Sequence, residues 1–374
     1  MTGFSEFDRA AMQRALALAT RGSTSTQPNP RVGCVLGREG RWVGEGWHQR
    51  AGAPHAEAMA LQQAGVSARG ATAYVTLEPC DHTGRTPPCT AALLAAGVSR
   101  VVYAIADPDP RVAGRGAARL QSSGIQVEAG LLSEAAEAVN CGYLSRLRRG
   151  RPWVRLKLAA SLDGRTALAN GRSQWLTGSE ARADVQRWRA ESAAILTGIG
   201  TVLADDPALT VRIGPEPRRQ PDIVVVDSDL RLPASARLLQ SAGGVHVFHA
   251  SDNETVAAAL RECGARLERL PPAAHADGSD PQVDLTAMLA HLGALQVNEV
   301  WTECGATLAG SLLREQLVDE LVLYLAPRLL GSDAAPLVQL TGLTALSEQP
   351  PWQVHDLQRV GGDVRIMLRP ARSA

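Results

Sequence analysis

In "FDRAAMQRALALA", residues 7–19, apolar residues return every three or four positions, which predicts a helix. "RVGCVLGREGRWVGEGWHQ", residues 31–49, sets two short apolar runs around a glycine-bearing turn and predicts two strands. "HAEAMALQQAG" then predicts a helix closed by Gly65, "ATAYVTLEP" a strand, and "CTAALLAAG" a helix closed by Gly97. "RVVYAIADP" and "IQVEAGLL" follow as strands. Strands alternating with helices imply an α/β domain with a covered, largely parallel sheet.

Near residue 145 the pattern changes. "SRLRRGRPW" is basic, carries Gly150 and Pro152, and is expected to be a linker between domains 1–150 and 151–374. Beyond it, "WVRLKLAAS", "AAILTGIG", "PDIVVVDS", "GVHVFHA", "VNEVWTECG" and "DELVLYLAP" predict strands. "GSEARADVQRWRAES" and "TLAGSLLREQLV" predict helices, making a second α/β domain of a length that suits one core. "PPAAHADGSDPQ" is expected to be a surface loop. No internal repeat or heptad pattern stands out. No apolar run reaches 18 residues, and the N-terminus lacks the basic-then-apolar order of a signal peptide, so we expect a cytoplasmic protein without a membrane span.

Composition narrows the function only by exclusion. The 374 residues carry 38 basic and 38 acidic side chains, which gives no global pull toward nucleic acid. Aromatics at 4% argue against a base-stacking platform. The 6 cysteines are too sparse for a disulfide framework, so thiolate ligands or buried thiols are expected.

The candidate chemistry lies in "PHAE" and "EPCDHTGRTPPC". His55, Cys80 and Cys89 would offer zinc one nitrogen and two thiolates, leaving a fourth position open for water. Glu57 would move the proton from water to a leaving amine. Residues two apart point about 200° from each other inside a helix, so His55 and Glu57 converge only at a helix start, where Pro54 puts them. Cys89 also opens a helix, after Pro87 and Pro88, where thiolate is favoured. Histidine-x-glutamate followed by proline-cysteine is the signature of zinc nucleobase deaminases, although the interval between the cysteines is longer than usual. "HAE" alone would more often be an ordinary helix start.

These residues resemble one family. "QPNPRVGCVL", "GWHQRAGAPHAEAMAL", "YVTLEPCDHTGRTPPCT" and "VYAIADPDPRVAGRG" look like the deaminase half of the bifunctional riboflavin biosynthesis deaminase/reductases. "RLKLAASLDGRTA", "GRSQWLTG", "RAESAAILTGIGTVLADDPALTVR" and "TECGATLAGSLL" look like the reductase half. The resemblance implies a cytidine-deaminase-like three-layer domain followed by a dihydrofolate-reductase-like one. It implies hydrolysis of the 2-amino group of a diamino-ribosylamino-pyrimidinone phosphate, then NADPH-dependent reduction of the ribosyl group to ribityl. It also implies Zn2+ and NADPH as cofactors and a homo-oligomer, dimer or tetramer.

On matching positions, the resemblance makes His55, Cys80 and Cys89 the zinc ligands and Glu57 the proton shuttle. Asn29, His48 and His82 would meet the deaminase substrate. The family often has lysine at Arg85, whose phosphate role stays open. No G-x-G-x-x-G follows a strand in the second half, so the NADPH site rests on the resemblance alone. It implies Ala159, Trp175, Thr201, Asp205 and Ser228 on the cofactor, with Gly305, Ala306, Thr307, Leu308, Ala309, Gly310 and Ser311 cradling its pyrophosphate. Ser173, Arg189, Leu209, Arg212 and Glu303 would meet the substrate, the arginines suiting its phosphate. Asp205 is the candidate to assist proton transfer, next to Asp206 where the family often has asparagine.

Two alternatives stand beside this. One is a zinc nucleoside or tRNA deaminase with an unrelated accessory domain, against which the balanced charge and full-length match speak. The other is a non-catalytic zinc-stabilised module, which would need a fourth protein ligand where three are evident.

Overall fold

Contacts in the computed structural model, which describes residues 3–83, 87–214, 219–273 and 282–371, divide the chain into two units, Met1–Gly150 and Arg151–Ala374. Arg85 and most of the expected loop at 271–282 lie outside the described residues.

In the first unit, α1 (Glu6–Ala19) begins on a capping box. Asp8 N–H donates to Ser5 Oγ and Ser5 N–H donates to Asp8 Oδ2, which satisfies two of the helix's orphan donors. Strands β1 (Gly33–Arg38) and β2 (Arg41–Trp47) follow, then α2 (Ala56–Ala64), β3 (Thr72–Val75), α3 (Cys89–Ala95) and β4 (Arg100–Tyr103). The unit ends with α4 (Arg115–Ser122), β5 (Gln126–Ala129), α5 (Ser133–Val139) and α6 (Cys141–Arg149).

The sheet order is β2-β1-β3-β4-β5, and only β3, β4 and β5 run parallel. The expected largely parallel sheet is therefore mixed. Glu39 and Gly40, both at positive φ (52° and 73°), turn β1 straight back into β2, and a turn that short joins only antiparallel strands. Gly44 and Gly46 of β2 let α2 lie against the strand, since a Cβ on either would come within 2.3 Å of the Ala60 or Ala56 carbonyl. The predicted linker at 145–153 is instead the end of α6 and the start of a strand. Arg146, Arg148 and Arg149 fill the last turn, where positive charge suits the helix dipole, and Gly150 closes it at φ 71°.

The second unit runs β6 (Trp153–Ser161), β7 (Arg165–Ala167), α7 (Ser179–Glu191), β8 (Ala194–Gly198), α8 (Ile199–Asp205), β9 (Asp222–Val226), β10 (Val245–His249), α9 (Glu254–Glu262) and β11 (Arg266–Arg269). Then come β12 (Pro272–Ala273), β13 (Gln282–Val283), α10 (Leu285–Ala294), β14 (Glu299–Glu303), α11 (Ala306–Arg314), β15 (Glu320–Ala326), β16 (Ala335–Pro336), β17 (Trp352–Val360) and β18 (Asp363–Pro370). Nine strands form one sheet in the order β11-β10-β9-β8-β14-β6-β15-β18-β17, parallel except for the last two pairings. Apolar clusters cover both faces, one around Leu156, Met288 and Leu312, the other around Ile195, Val225 and Trp301. Parallel strands put their C-terminal ends on one side, so the ends of β6, β8, β9 and β14 share an edge. Among the described residues, no helix is long and apolar enough to cross a membrane.

Candidate active sites

In the first unit, His55 is the N-cap of α2 in extended backbone (φ −74°, ψ 164°), with Glu57 one residue inside the helix. The extended cap removes the angular separation that a continuous helix would impose on the pair. Cys80 follows β3, and Cys89 is the first residue of α3 behind Pro88. His55 Nδ1 lies 3.2 Å from Cys89 Sγ and 3.6 Å from Cys80 Sγ, and the three ligand atoms lie within 4.8 Å of one another. A tetrahedral zinc with bonds of about 2.0 Å to nitrogen and about 2.3 Å to sulfur has ligand-to-ligand edges of about 3.5–3.8 Å, so the three fit a shared ion.

The protonation of the site points the same way. The hydrogen bond from the Cys89 thiol, against the effect of burial, holds the Cys80 thiol well below its ordinary range. Cys89 is pushed up by that same bond and by burial. The pair thus gives up one proton easily and keeps the second, and a divalent cation would release it. Burial raises the Glu57 carboxyl, which is 3% exposed and hydrogen-bonded to the Cys89 thiol.

The surrounding chain holds these atoms in register. Thr90 clips the loop to α3, its N–H on the Cys80 carbonyl (3.2 Å) and its hydroxyl on Asp81 Oδ1 (2.5 Å). Buried Glu78 accepts from the N–H groups of Gly114 (3.0 Å) and Ala117 (3.2 Å) at the start of α4. Asn29 and His48 are brought together, Asn29 Nδ2 lying 3.1 Å from His48 Nε2. His48 Nδ1 lies 3.2 Å from the Pro54 carbonyl, and its ring meets that of His55 edge-on at 5.4 Å. Those contacts make His48 Nδ1 the donor and Nε2 the acceptor, and burial lowers its pKa, keeping it neutral. His82 is half-buried, and its Nδ1 has no hydrogen-bond partner among the described residues.

In the second unit a cavity of about 260 Å³ opens at the strand ends. Of the expected cofactor residues, Thr201, Ser228, Gly305, Thr307, Leu308 and Ser311 line it. Gly305 is the N-cap of α11, which among the described residues has no side-chain cap, so its first N–H groups suit a pyrophosphate. Ala309 packs in the core, and Gly310 is a glycine because a Cβ would lie 2.0 Å from the Gln339 carbonyl. Ala159 is half-buried on β6. Ser173 and Trp175 lie in an exposed segment, with Arg182 stacked 4.5 Å over the Trp175 ring. Asp205, the expected proton-transfer residue, is exposed at the end of α8. Asp206 serves the fold, since its Oδ1 accepts from Arg237 N–H at 2.9 Å.

The expected substrate residues divide. Arg189 is buried and bonds Glu303 through two nitrogens (2.5 and 2.8 Å) and the Thr210 carbonyl through a third (3.0 Å). It is a strut for Glu303. Arg212 is exposed, with its N–H on Gln186, and Leu209 is buried at φ 50°. Burial would raise the Glu303 carboxyl, but Arg189, Lys157 and the Trp301 N–H outweigh it and hold it at about 2. Lys157 of β6 pairs with Glu303 in the β6–β14 register, and burial lowers its pKa. No hydrogen bond or ion pair holds its ammonium among the described residues. Sequence reasoning missed it, although it is the sole lysine of the chain. An arginine cannot give up its proton, so a lone lysine among arginines was a signal for proton chemistry.

Residues 5–105 match the family model for the cytidine and deoxycytidylate deaminase zinc-binding region, and residues 152–366 match that for the RibD C-terminal domain. The riboflavin biosynthesis protein RibD of Escherichia coli is 50% identical over 372 residues, 96% of this chain and 99% of its own. That of Haemophilus influenzae is 45% identical over 381 residues, 99% of each chain. Among solved structures, Acinetobacter baumannii RibD (form 1) matches with a TM-score of 0.88 at 43% identity, covering 98% of this chain and 99% of that one.

Proposed function

This chain belongs to the RibD family, the bifunctional deaminase/reductases of riboflavin biosynthesis, and from that membership we propose which residues carry its two reactions. Its cofactors are zinc for the deaminase and NADPH for the reductase. We assign deamination to residues 1–150 and reduction to residues 151–374. The substrates would be 2,5-diamino-6-ribosylamino-4(3H)-pyrimidinone 5′-phosphate and then 5-amino-6-(5-phosphoribosylamino)uracil. A Thermotoga maritima relative, 31% identical with a TM-score of 0.83, is named for a diaminohydroxyphosphoribosylaminopyrimidine deaminase and the reductase of that uracil.

The observation that carries the first half is the convergence of His55, Cys80 and Cys89 beside a buried Glu57. These three would hold zinc, which when bound supplies positive charge that makes a water easier to deprotonate. Glu57 takes that proton on its carboxylate and delivers it to the departing amine, and its raised pKa suits both duties. Neutral His48, whose two ring nitrogens are taken by Asn29 and Pro54, would orient the Asn29 amide, and the remaining polar groups of that amide would meet the pyrimidine. His82, whose Nδ1 has no partner among the described residues, is a second candidate contact.

In the reductase, the cavity at the end of β14 suits NADPH, which supplies a hydride when bound. C1′ of the opened ribosylamine then needs a proton at the neighbouring nitrogen. Glu303, held ionised by Arg189, is a poor donor alone, whereas the Lys157 ammonium beside it has a proton to give. We assign the proton to this Lys157–Glu303 pair in place of Asp205. Arg212 is the exposed cation for the phosphate.

Feeding the substrates separately tests the reading. The diaminopyrimidine phosphate should release ammonia without NADPH, and the deaminated product should oxidise NADPH without releasing ammonia. Ammonia from cytidine or tRNA, with none from the diaminopyrimidine, would overturn it.

A further inference from the structure

Among the described residues, Arg231 is the sole cationic side chain lining the reductase cavity, in company with the acids Asp229 and Glu315. It sits on a tight turn directly after β9. Asp227 closes that turn, its carbonyl accepting from Leu230 N–H (3.2 Å) and its Oδ2 from Leu232 N–H (2.8 Å). Leu230 is held at φ 57°, a left-handed conformation unfavourable for leucine, and is buried in the apolar core. Anchoring that one side chain leaves Asp229 and Arg231 on the solvent and cavity side, 68% and 56% exposed. Their closest approach is 3.8 Å, a loose pair that a better anion displaces.

The position in the sheet says which anion. β14, β8 and β9 are consecutive neighbours, so the Arg231 turn lies roughly two strand spacings, about 10 Å, along the edge from the Gly305 turn. A dinucleotide whose pyrophosphate rests on α11 reaches the β9 end with its adenosine ribose. In the Rossmann fold a strand end beside the phosphate-binding turn reads the ribose, an acid taking the 2′-hydroxyl and an arginine the 2′-phosphate, and the Arg231 turn holds a comparable place in this sheet although the glycine fingerprint is absent. We propose that Arg231 binds the 2′-phosphate of NADPH and sets the preference for NADPH over NADH. The guanidinium offers paired donors that match a phosphate, and among the described residues no other side-chain cation lines the cavity to do so. Val226, Val283 and Leu285 supply an apolar wall for the adenine. The inference rests on the reading of this unit as an NADPH-dependent reductase.

Calorimetric binding of NADPH, NADH and adenosine 2′,5′-bisphosphate to the full chain tests it without turnover. Arg231→Gln should weaken NADPH and the bisphosphate by about 10- to 100-fold, the worth of a charge-assisted contact, and leave NADH within about twofold. Arg231→Lys should recover part of the loss. Equal weakening of NADPH and NADH, or no weakening of the bisphosphate, would overturn the proposal while leaving the reductase assignment intact. Wild-type protein that binds neither NADPH nor the bisphosphate would overturn both.

Discussion

Gly116 sits in the first turn of α4, and a Cβ added there would lie 1.8 Å from the Pro79 carbonyl oxygen. An ordinary carbon–oxygen contact is about 3.3 Å, so Gly116→Ala requires a displacement of about 1.5 Å. The loop cannot yield freely. Glu78 holds it to α4 through Gly114 and Ala117, and Thr90 holds the Cys80 carbonyl. Pro79 precedes a proposed zinc ligand, and metal bonds tolerate only about 0.2 Å. We expect Gly116→Ala to lose about 10- to 100-fold in zinc affinity, as disturbed ligand supports do, with an overpacking cost of about 1–3 kcal/mol. Competition with a chromophoric chelator would measure the first and ammonia release its consequence. NADPH oxidation with the deaminated product should stay at the wild-type rate. Wild-type zinc affinity together with normal ammonia release would refute the argument that this glycine sets the position of Cys80.

Arg189→Ala should strip Glu303 of its bidentate partner and destabilise the second unit by about 3 kcal/mol, because the buried carboxylate keeps only the Trp301 N–H and the nearby Lys157 charge; an unchanged urea midpoint would contradict the strut role. Lys157→Arg should keep NADPH binding but reduce NADPH oxidation at least about 100-fold, the range for loss of a positioned proton donor, and a wild-type rate would move the proton to another group. Burial raises the Asp107 carboxyl from the usual 3.8 to about 6, although the N–H of Asp109 and the Tyr143 hydroxyl both donate to its Oδ1. A raised carboxyl stabilises the fold at low pH and loses that contribution as pH climbs through 4 to 6. Asp107→Asn, which keeps both acceptor contacts, should therefore stabilise the first unit at pH 8 by up to about 3 kcal/mol and barely change it at pH 4. Thermal melts at both pH values would expose the opposite sign.

What was legible in the sequence was local. "PHAE" and "EPC…PPC" carry their geometry in a few residues: prolines that end extended chain, a helix start, and thiols at its mouth. The central strands of the second unit were equally plain, since "WVRLKLAAS" and "DELVLYLAP" are apolar enough to sit inside a covered sheet. What was missed depends on distant partners or on tie-breaking composition. Arg189 looked like a free phosphate cation because Glu303, its partner, is 114 positions away. Asp206 looked like an extra charge, but Arg237 N–H claims it. The basic run at 146–149 looked like a linker because a helix C-terminus attracts the same residues. The helix at 199–205 hid in a strand prediction that ran on to Gly200, and Asp205 at its end was credited with chemistry that its exposure does not favour. Lys157 needed the register of β6 against β14 before its solitude meant anything.

Ammonia release by Glu57→Gln, with zinc measured on the same sample, tests most directly the claim that Glu57 shuttles the proton beside a three-ligand metal centre. The account predicts one zinc per chain, no ammonia, and an unchanged rate of NADPH oxidation when the deaminated product is supplied. Normal ammonia release by a zinc-loaded Glu57→Gln protein would contradict it.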